Sequence, residues 1–247
     1  MHARVSTAAA ADRSDIVLVH GLLSSRYFEP TAELLARSHR VYAPDLPGFG
    51  SSPLPNRGPD LPGLADALAA FMQVRRLEQV MVVGHSIGTQ IVSDLAVRYP
   101  GLVGAAVLVA PTFEPGARTI RAQYGRWLRN VRREPLSLNA VLVREVLDFG
   151  VVRPVRVLRG ALRDHMEDRL ARIEAPTLVI RGERDTLATQ AWCEEVNALL
   201  RNSALVVIPR APHTLNFASP GELSATILDF AAAVRPAGPA GERSPAG

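Results

Sequence analysis

A lone serine stands between two glycines in Gly84-His85-Ser86-Ile87-Gly88, directly after the apolar run Val80 to Val83. A buried apolar run needs something to stop it, but it does not need a serine at its tip. In a G-x-S-x-G turn between strand and helix the serine occupies a strained backbone position, and the small residues on either side let strand and helix approach closely. A helix starting at Ile87 also presents free N–H groups and a positive dipole end to any developing anion. Serine alone is a poor nucleophile, so this chemistry calls for a base, a group that orients the base and a second oxyanion donor. The base is expected in a loop after the last strand, where His213 lies in Pro212-His213-Thr214, beyond the run Ala204 to Ile208. The acid is expected at the end of the preceding strand. Asp185, in Arg181-Gly182-Glu183-Arg184-Asp185, follows Thr177 to Ile180 and gives the chain order Ser, Asp, His. Glu183, in the same loop, competes for that role. The second oxyanion donor would be the backbone N–H of Leu22, just after His20-Gly21.

These residues need a framework that brings them to one edge. Six short apolar runs are candidate strands: Ile16 to Val19, Arg40 to Ala43, Val80 to Val83, Ala105 to Val109, Thr177 to Ile180 and Ala204 to Ile208. Most are continuous rather than alternating, as strands buried on both faces are. Helical stretches are read at Thr31 to Arg37, Leu61 to Arg76, Thr89 to Tyr99, Thr189 to Leu200 and Ser219 to Val234. Such alternation predicts an α/β fold with a mostly parallel sheet and flanking helices, in which reactive groups gather at the carboxyl ends of the strands. About 15 residues precede the first clear strand, which leaves room for one short extra edge strand.

One segment breaks the rhythm. From Pro111 to Arg172 the pattern is helical, with Ile120, Tyr124, Trp127, Leu128 and Val131 on one face. The expected organisation is a core formed by 1–110 and 173–235, an inserted helical cap at 111–172, and a disordered Pro/Gly/Ala-rich tail at 236–247. Tyr124, Trp127 and Leu128 are candidate substrate-binding residues of the cap, although the same spacing fits packing against the core. His85 is read as structural, because its side chain points away from that of Ser86. His20 is expected to buttress the oxyanion loop, and His39 and His165 are expected at the surface. Gly48-Phe49-Gly50 resembles a dinucleotide-binding loop, but Pro53 stands where a third glycine is required, so a structural turn is the better reading.

Composition narrows the function. The chain has 247 residues, 47% of them apolar, ample for a sizeable core. No run approaches a membrane span, and the alanines at 8–11 are too short for a secretory segment, so a cytoplasmic enzyme is expected. The single Cys193 excludes an internal disulfide, and the six histidines are too dispersed for paired ligation, so neither metal nor cofactor is expected. All 28 basic residues are arginines, and the net charge is +4. Residues 111–172 hold 13 arginines against 7 acids, a net +6 that leaves the rest of the chain at −2. No nucleic-acid motif accompanies this excess. The arginines at 153, 156, 159 and 163 share a helical face, read as a solvated stripe or as a contact for an anionic substrate or an acidic carrier protein.

In order along the chain, His20-Gly21, Asp45-Leu46-Pro47-Gly48-Phe49-Gly50-Ser51-Ser52, Gly84-His85-Ser86-Ile87-Gly88, Gly182-Glu183-Arg184-Asp185 and Pro212-His213 resemble the landmarks of the capped α/β-hydrolases over roughly residues 14 to 234. The resemblance implies catalytic roles for Ser86, Asp185 and His213 and oxyanion roles for the N–H groups of Leu22 and Ile87. It implies a serine hydrolase acting on a small-molecule acyl substrate: an ester, thioester, lactone or carbon–carbon bond. Acyl transfer and cofactor-free perhydrolysis use the same triad, and a ligand-binding receptor on this fold is the reading outside enzymology.

Overall fold

The computed structural model describes residues 1–6, 15–55, 58–149 and 152–234. Its elements run β1 (Ala3–Val5), β2 (Ile16–Val19), α1 (Glu29–Leu35), β3 (Val41–Pro44), α2 (Leu61–Val74), β4 (Val80–His85), α3 (Ile87–Arg98), β5 (Val103–Val109), α4 (Ile120–Val131), α5 (Leu136–Phe149), α6 (Val152–Ala161), α7 (Glu167–Leu170), β6 (Thr177–Gly182), α8 (Gln190–Leu199), β7 (Ser203–Ile208), α9 (Leu215–Ala218) and α10 (Pro220–Val234). The seven strands form one sheet in the order β1-β3-β2-β4-β5-β6-β7. All neighbours are parallel except β1, which pairs antiparallel with β3, Ala3 opposite Pro44. The room that the sequence leaves for one short extra edge strand is taken by β1.

The β-branched runs become the centre of the sheet because both faces are covered. Every residue of β2 and β4 is buried, as are Ala106 to Val109 of β5. Strands β4 and β6 extend past their apolar runs, to His85 and Gly182, because the ladder to the next strand continues: His85 pairs with Val109 and Gly182 with Ile208. This extension carries the polar residues to the carboxyl edge. The helices start where capping chemistry allows. Asp60 Oδ1 accepts the Gly63 N–H at 3.0 Å to begin α2, and Thr189 Oγ1 accepts that of Trp192 at 3.2 Å to begin α8.

Two expectations need correction or restriction. His39 is buried, not at the surface, because the turn between α1 and β3 is tight: the N–H groups of Ser38 and His39 both bond to the Leu35 carbonyl, and Ser38 Oγ bonds to His39 Nδ1 at 2.9 Å. The alanines at 8–11 and the tail at 236–247 lie outside the described residues. Between β5 and β6 only helical elements occur among the described residues, α4 to α7 preceded by a short 3₁₀ turn.

Candidate active site

Ser86 sits between the end of β4 and the start of α3, with φ 56° and ψ −123°. A non-glycine residue holds that left-handed φ only where its surroundings enforce it. The enforcement is visible at the flanking glycines. A Cβ on Gly84 would lie 2.7 Å from the Gly88 carbonyl carbon, and one on Gly88 would lie 2.9 Å from the His20 carbonyl oxygen. Strand, elbow and helix therefore interlock at distances that no larger residue permits. The Ser86 N–H is held by the Val109 carbonyl at 2.9 Å, tying the turn to the neighbouring strand.

His213 and Asp185 meet this serine from two other loops. His213 Nε2 lies 3.1 Å from Ser86 Oγ, and His213 Nδ1 lies 2.8 Å from Asp185 Oδ2. Asp185 is buried, and its second oxygen, Oδ1, accepts the N–H groups of Leu187 at 2.7 Å and Ala188 at 3.0 Å. The carboxylate is thereby fixed with one oxygen reserved for the imidazole. Glu183 is turned elsewhere, its Oε2 accepting the Arg210 N–H at 2.6 Å in an exposed loop. Burial alone would lower the pKa of His213; the charge and hydrogen bond of Asp185, with the charge of Glu134, overcome it and hold the imidazole above its ordinary value.

The loop after β2 completes the geometry. A Cβ on Gly21 would stand 3.2 Å from the Ser86 Cβ and 3.4 Å from the Ile87 nitrogen, so this loop abuts the elbow. Neither the Leu22 nor the Ile87 N–H donates to a backbone acceptor among the described residues. His20 lies beneath the loop. Its Nε2 accepts the Leu46 N–H at 2.9 Å, so Nδ1 carries the proton and donates to the Gly21 carbonyl at 3.0 Å. Complete burial drops its pKa to about 4, which keeps the ring neutral and structural. The loop that follows β3 closes on Asp45, whose carboxylate accepts from Ser25 Oγ, the Ser25 N–H and the Ser51 N–H. Burial would raise its pKa, but these hydrogen bonds win and lower it. The Gly48-Phe49-Gly50 turn is accordingly folded around an internal anion.

Two contributors, Tyr27 and Glu134, are not visible from motifs. His85 Nε2 faces the His213 carbonyl at 2.9 Å, and a carbonyl can only accept, so Nε2 carries the ring proton. Its Nδ1 then accepts the Tyr27 hydroxyl at 2.8 Å, whose oxygen accepts the Gly21 N–H at 2.9 Å. This directed chain joins the β2 loop to the backbone of His213, and burial pushes the His85 pKa down to about 3, so the ring stays neutral. Glu134, beyond α4, is the other. Its Oε1 accepts the Thr214 N–H at 3.0 Å and its Oε2 bonds the Thr214 hydroxyl, one residue from His213. The adjacent Arg133 donates to the Arg184 carbonyl at 2.6 Å, one residue before Asp185. No local signal marks Glu134 or Tyr27, because their partners are distant in sequence.

The remaining candidates fall into place individually. Tyr124 and Trp127 stack at 5.9 Å, and with Leu128 they lie on the outward side of α4, at 58%, 45% and 45% exposure. The buried side of that helix carries Gln123 and Asn130 instead, so core packing does not explain the apolar stripe. Cys193 is buried, its thiol pushed up to about 12 chiefly by that burial. His165 is exposed beside Arg118 and Glu167. Among the described residues no cluster of three or more His, Cys, Asp or Glu side chains could hold a metal, and no helix is long and apolar enough to cross a membrane.

The model of the alpha/beta hydrolase family matches residues 16–226. A pimeloyl-[acyl-carrier protein] methyl ester esterase of Aeromonas hydrophila is 26% identical over 244 residues, covering 87% of this chain and 94% of its own. A 2-(acetamidomethylene)succinate hydrolase of Mesorhizobium japonicum is 25% identical, covering 87% of each chain. Among solved structures, a thermophilic esterase from Thermogutta terrifontis superimposes with a TM-score of 0.75 at 22% identity, covering 95% of this chain and 94% of its own. Est816, described as an N-acyl homoserine lactone degrading enzyme, gives a TM-score of 0.77 at 22% identity, with 93% and 96% covered.

Proposed function

The chain belongs to the alpha/beta hydrolase family, and on that premise we propose that it is a serine hydrolase that opens carboxylic acyl substrates through an acyl-enzyme on Ser86. His213 Nε2 takes the hydroxyl proton as Ser86 Oγ attacks the carbonyl carbon, while Asp185 holds Nδ1–H and stabilises the imidazolium. The backbone N–H groups of Leu22 and Ile87 receive the oxyanion. The imidazolium then passes its proton to the leaving group, and a water deprotonated by the same nitrogen releases the acid and restores the serine. The observation that carries this reading is the unbroken pair of hydrogen bonds, 3.1 and 2.8 Å, linking Ser86, His213 and Asp185.

The substrate class follows less tightly. Esters, thioesters, lactones and carbon–carbon bonds all suit the same attack, and the names of the ester- and lactone-cleaving relatives favour the first and third. Segment 111–172 serves as the cap over a core of 1–110 and 173–235, and Tyr124, Trp127 and Leu128 offer their apolar face to the acyl chain. An acidic carrier protein bearing the acyl group is the macromolecular version of that substrate, and the name of the ester-cleaving relative includes an acyl-carrier protein. The test is a panel of p-nitrophenyl esters of increasing chain length, run with water, alcohol and peroxide acceptors. Wild type should turn over part of the panel and label with a fluorophosphonate; Ser86→Ala should lose the label and several orders of magnitude in rate. Full turnover by Ser86→Ala would refute the mechanism. Rates that rise only with alcohol or peroxide would reassign the enzyme to acyl transfer or perhydrolysis. Binding without any turnover would make it a receptor.

A further inference from the structure

Three arginines on α6 and the turn after it, Arg156, Arg159 and Arg163, line a cavity of about 690 Å³ whose opposite wall is the 58–60 loop and the first turns of α2. Arg153 lies outside the residues whose side chains are described. Leu61 and Leu64, both buried, give this wall an apolar floor. The three guanidinium groups are exposed, and none forms an ion pair among the described residues. Elsewhere in the same segment three arginines are ion-paired: Arg118 with Glu167, Arg126 with Glu114, Arg169 with Asp164. The one carboxylate lining the cavity, Asp60, is engaged in capping α2. Arg156 reaches to the far wall, its Nη1 3.3 Å from where a Cβ on Gly58 would stand.

Like charges three and four residues apart on one helical face repel, so such a stripe gains nothing for the isolated helix. A guanidinium fork is suited to carboxylate and phosphate oxygens, and a bound anion would relieve the repulsion. We propose that this cavity is a binding site for amphiphilic anions, the carboxylate or phosphate head held by Arg156, Arg159 and Arg163 and the alkyl chain lying over Leu61 and Leu64. The site is attached to the helix that Ser86 caps, since Gln90 Nε2 donates to the Ala161 carbonyl at 3.0 Å, but occupancy does not depend on a reactive serine.

Calorimetric titration of the full chain with octanoate, octyl phosphate and octanol tests this, with Ser86→Ala as the catalytically silent background. Both anions should bind at least tenfold more tightly than octanol, and the preference should shrink as salt is added. Arg156→Gln/Arg159→Gln should weaken anion binding at least tenfold while the Tm stays within a few degrees, since both side chains are exposed. Gly58→Phe, filling the cavity from the other wall, should abolish binding of all three. Equal affinity for octanol and the anions, no binding of either anion, or anion binding undiminished in the double variant would each overturn the proposal. So would binding of a purified acidic carrier protein without binding of either small anion. Because binding is read in Ser86→Ala, failure here leaves the hydrolase reading standing, and failure of that reading leaves this one measurable.

Discussion

Replacing Asp185 with Asn isolates what the buried carboxylate does, because the surroundings dictate how the amide must sit. Oδ1 accepts two backbone N–H groups, from Leu187 and Ala188, and Oδ2 faces His213 Nδ1. An asparagine can present its oxygen to only one of these positions. Turning the NH₂ toward Leu187 and Ala188 would leave two buried donors facing another donor, at roughly 1–3 kcal/mol each. The amide oxygen is therefore expected at the Oδ1 position and the NH₂ opposite His213. The imidazole must then accept at Nδ1 and carry its proton on Nε2, where it faces Ser86 Oγ and cannot take the hydroxyl proton. Recovering the productive tautomer means paying that penalty of several kcal/mol, and kcat/KM on a reactive p-nitrophenyl ester should fall by about 10⁴-fold, the size of loss known when a triad is locked in the wrong tautomer. Nitrogen-15 NMR of the histidine ring should report the proton moved from Nδ1 to Nε2. Glu183→Gln, altering an exposed carboxylate committed to Arg210, should remain within threefold of wild type. A mild Asp185→Asn beside a crippled Glu183→Gln would refute both the assignment of the acid and the tautomer argument.

Glu134→Gln should move the acidic limb of the kcat/KM profile to lower pH: burial depresses the His213 pKa while Asp185 and Glu134 raise it, and the base works only above that pKa, so removing one raising charge extends activity downward. An unmoved limb in a pH titration would show that Glu134 acts on Thr214 alone. Tyr27→Phe keeps the ring in the core but leaves the Gly21 N–H and His85 Nδ1 without their partner; kcat should drop ten- to a hundredfold with KM nearly constant, and a change confined to thermal stability would reduce the chain to a structural device. Trp127→Ala, at a side chain nearly half exposed, should lower stability by less than about 1 kcal/mol and shift ester chain-length preference; a lower Tm with an unchanged preference would remove Trp127 from substrate binding.

The parts legible in the sequence are those whose cause is local. A continuous Val-rich run followed by Gly-x-Ser-x-Gly specifies a buried strand, a forced turn and a helix start, and the structure follows it closely, with α3 beginning at Ile87 because Ser86 itself is the N-cap. Asp185 and His213 are legible the same way as neighbours of Ser86, since each lies in a loop past a strand and the sheet brings strand ends together. The burial of His39 is not legible, because a turn residue's burial depends on how closely two elements fold back on each other, which its neighbours in sequence do not encode. The stripe on α4 was equally ambiguous: periodicity reveals that five apolar residues share a face, but not which face meets the protein.

Glu134 marks the limit more sharply. It lies in an arginine-rich stretch, where an acid reads as ordinary charge balance, yet it bonds to Thr214 across 80 residues. Together with Arg133 on the Arg184 carbonyl, it ties one segment between β5 and β6 to both loops that carry Asp185 and His213. Any displacement of that segment must therefore break hydrogen bonds next to His213 and Asp185. The physical consequence is that the position of that segment and the proton affinity of His213 are coupled: Glu134 in place raises the His213 pKa, and Glu134 withdrawn lets it fall. A substrate that displaces that segment on binding would meet a histidine of lower pKa than the free enzyme holds, so the acidic limb of the wild-type kcat profile, which reports the complex, should lie lower with the bulkiest substrates than with the smallest, and Glu134→Gln should abolish that difference.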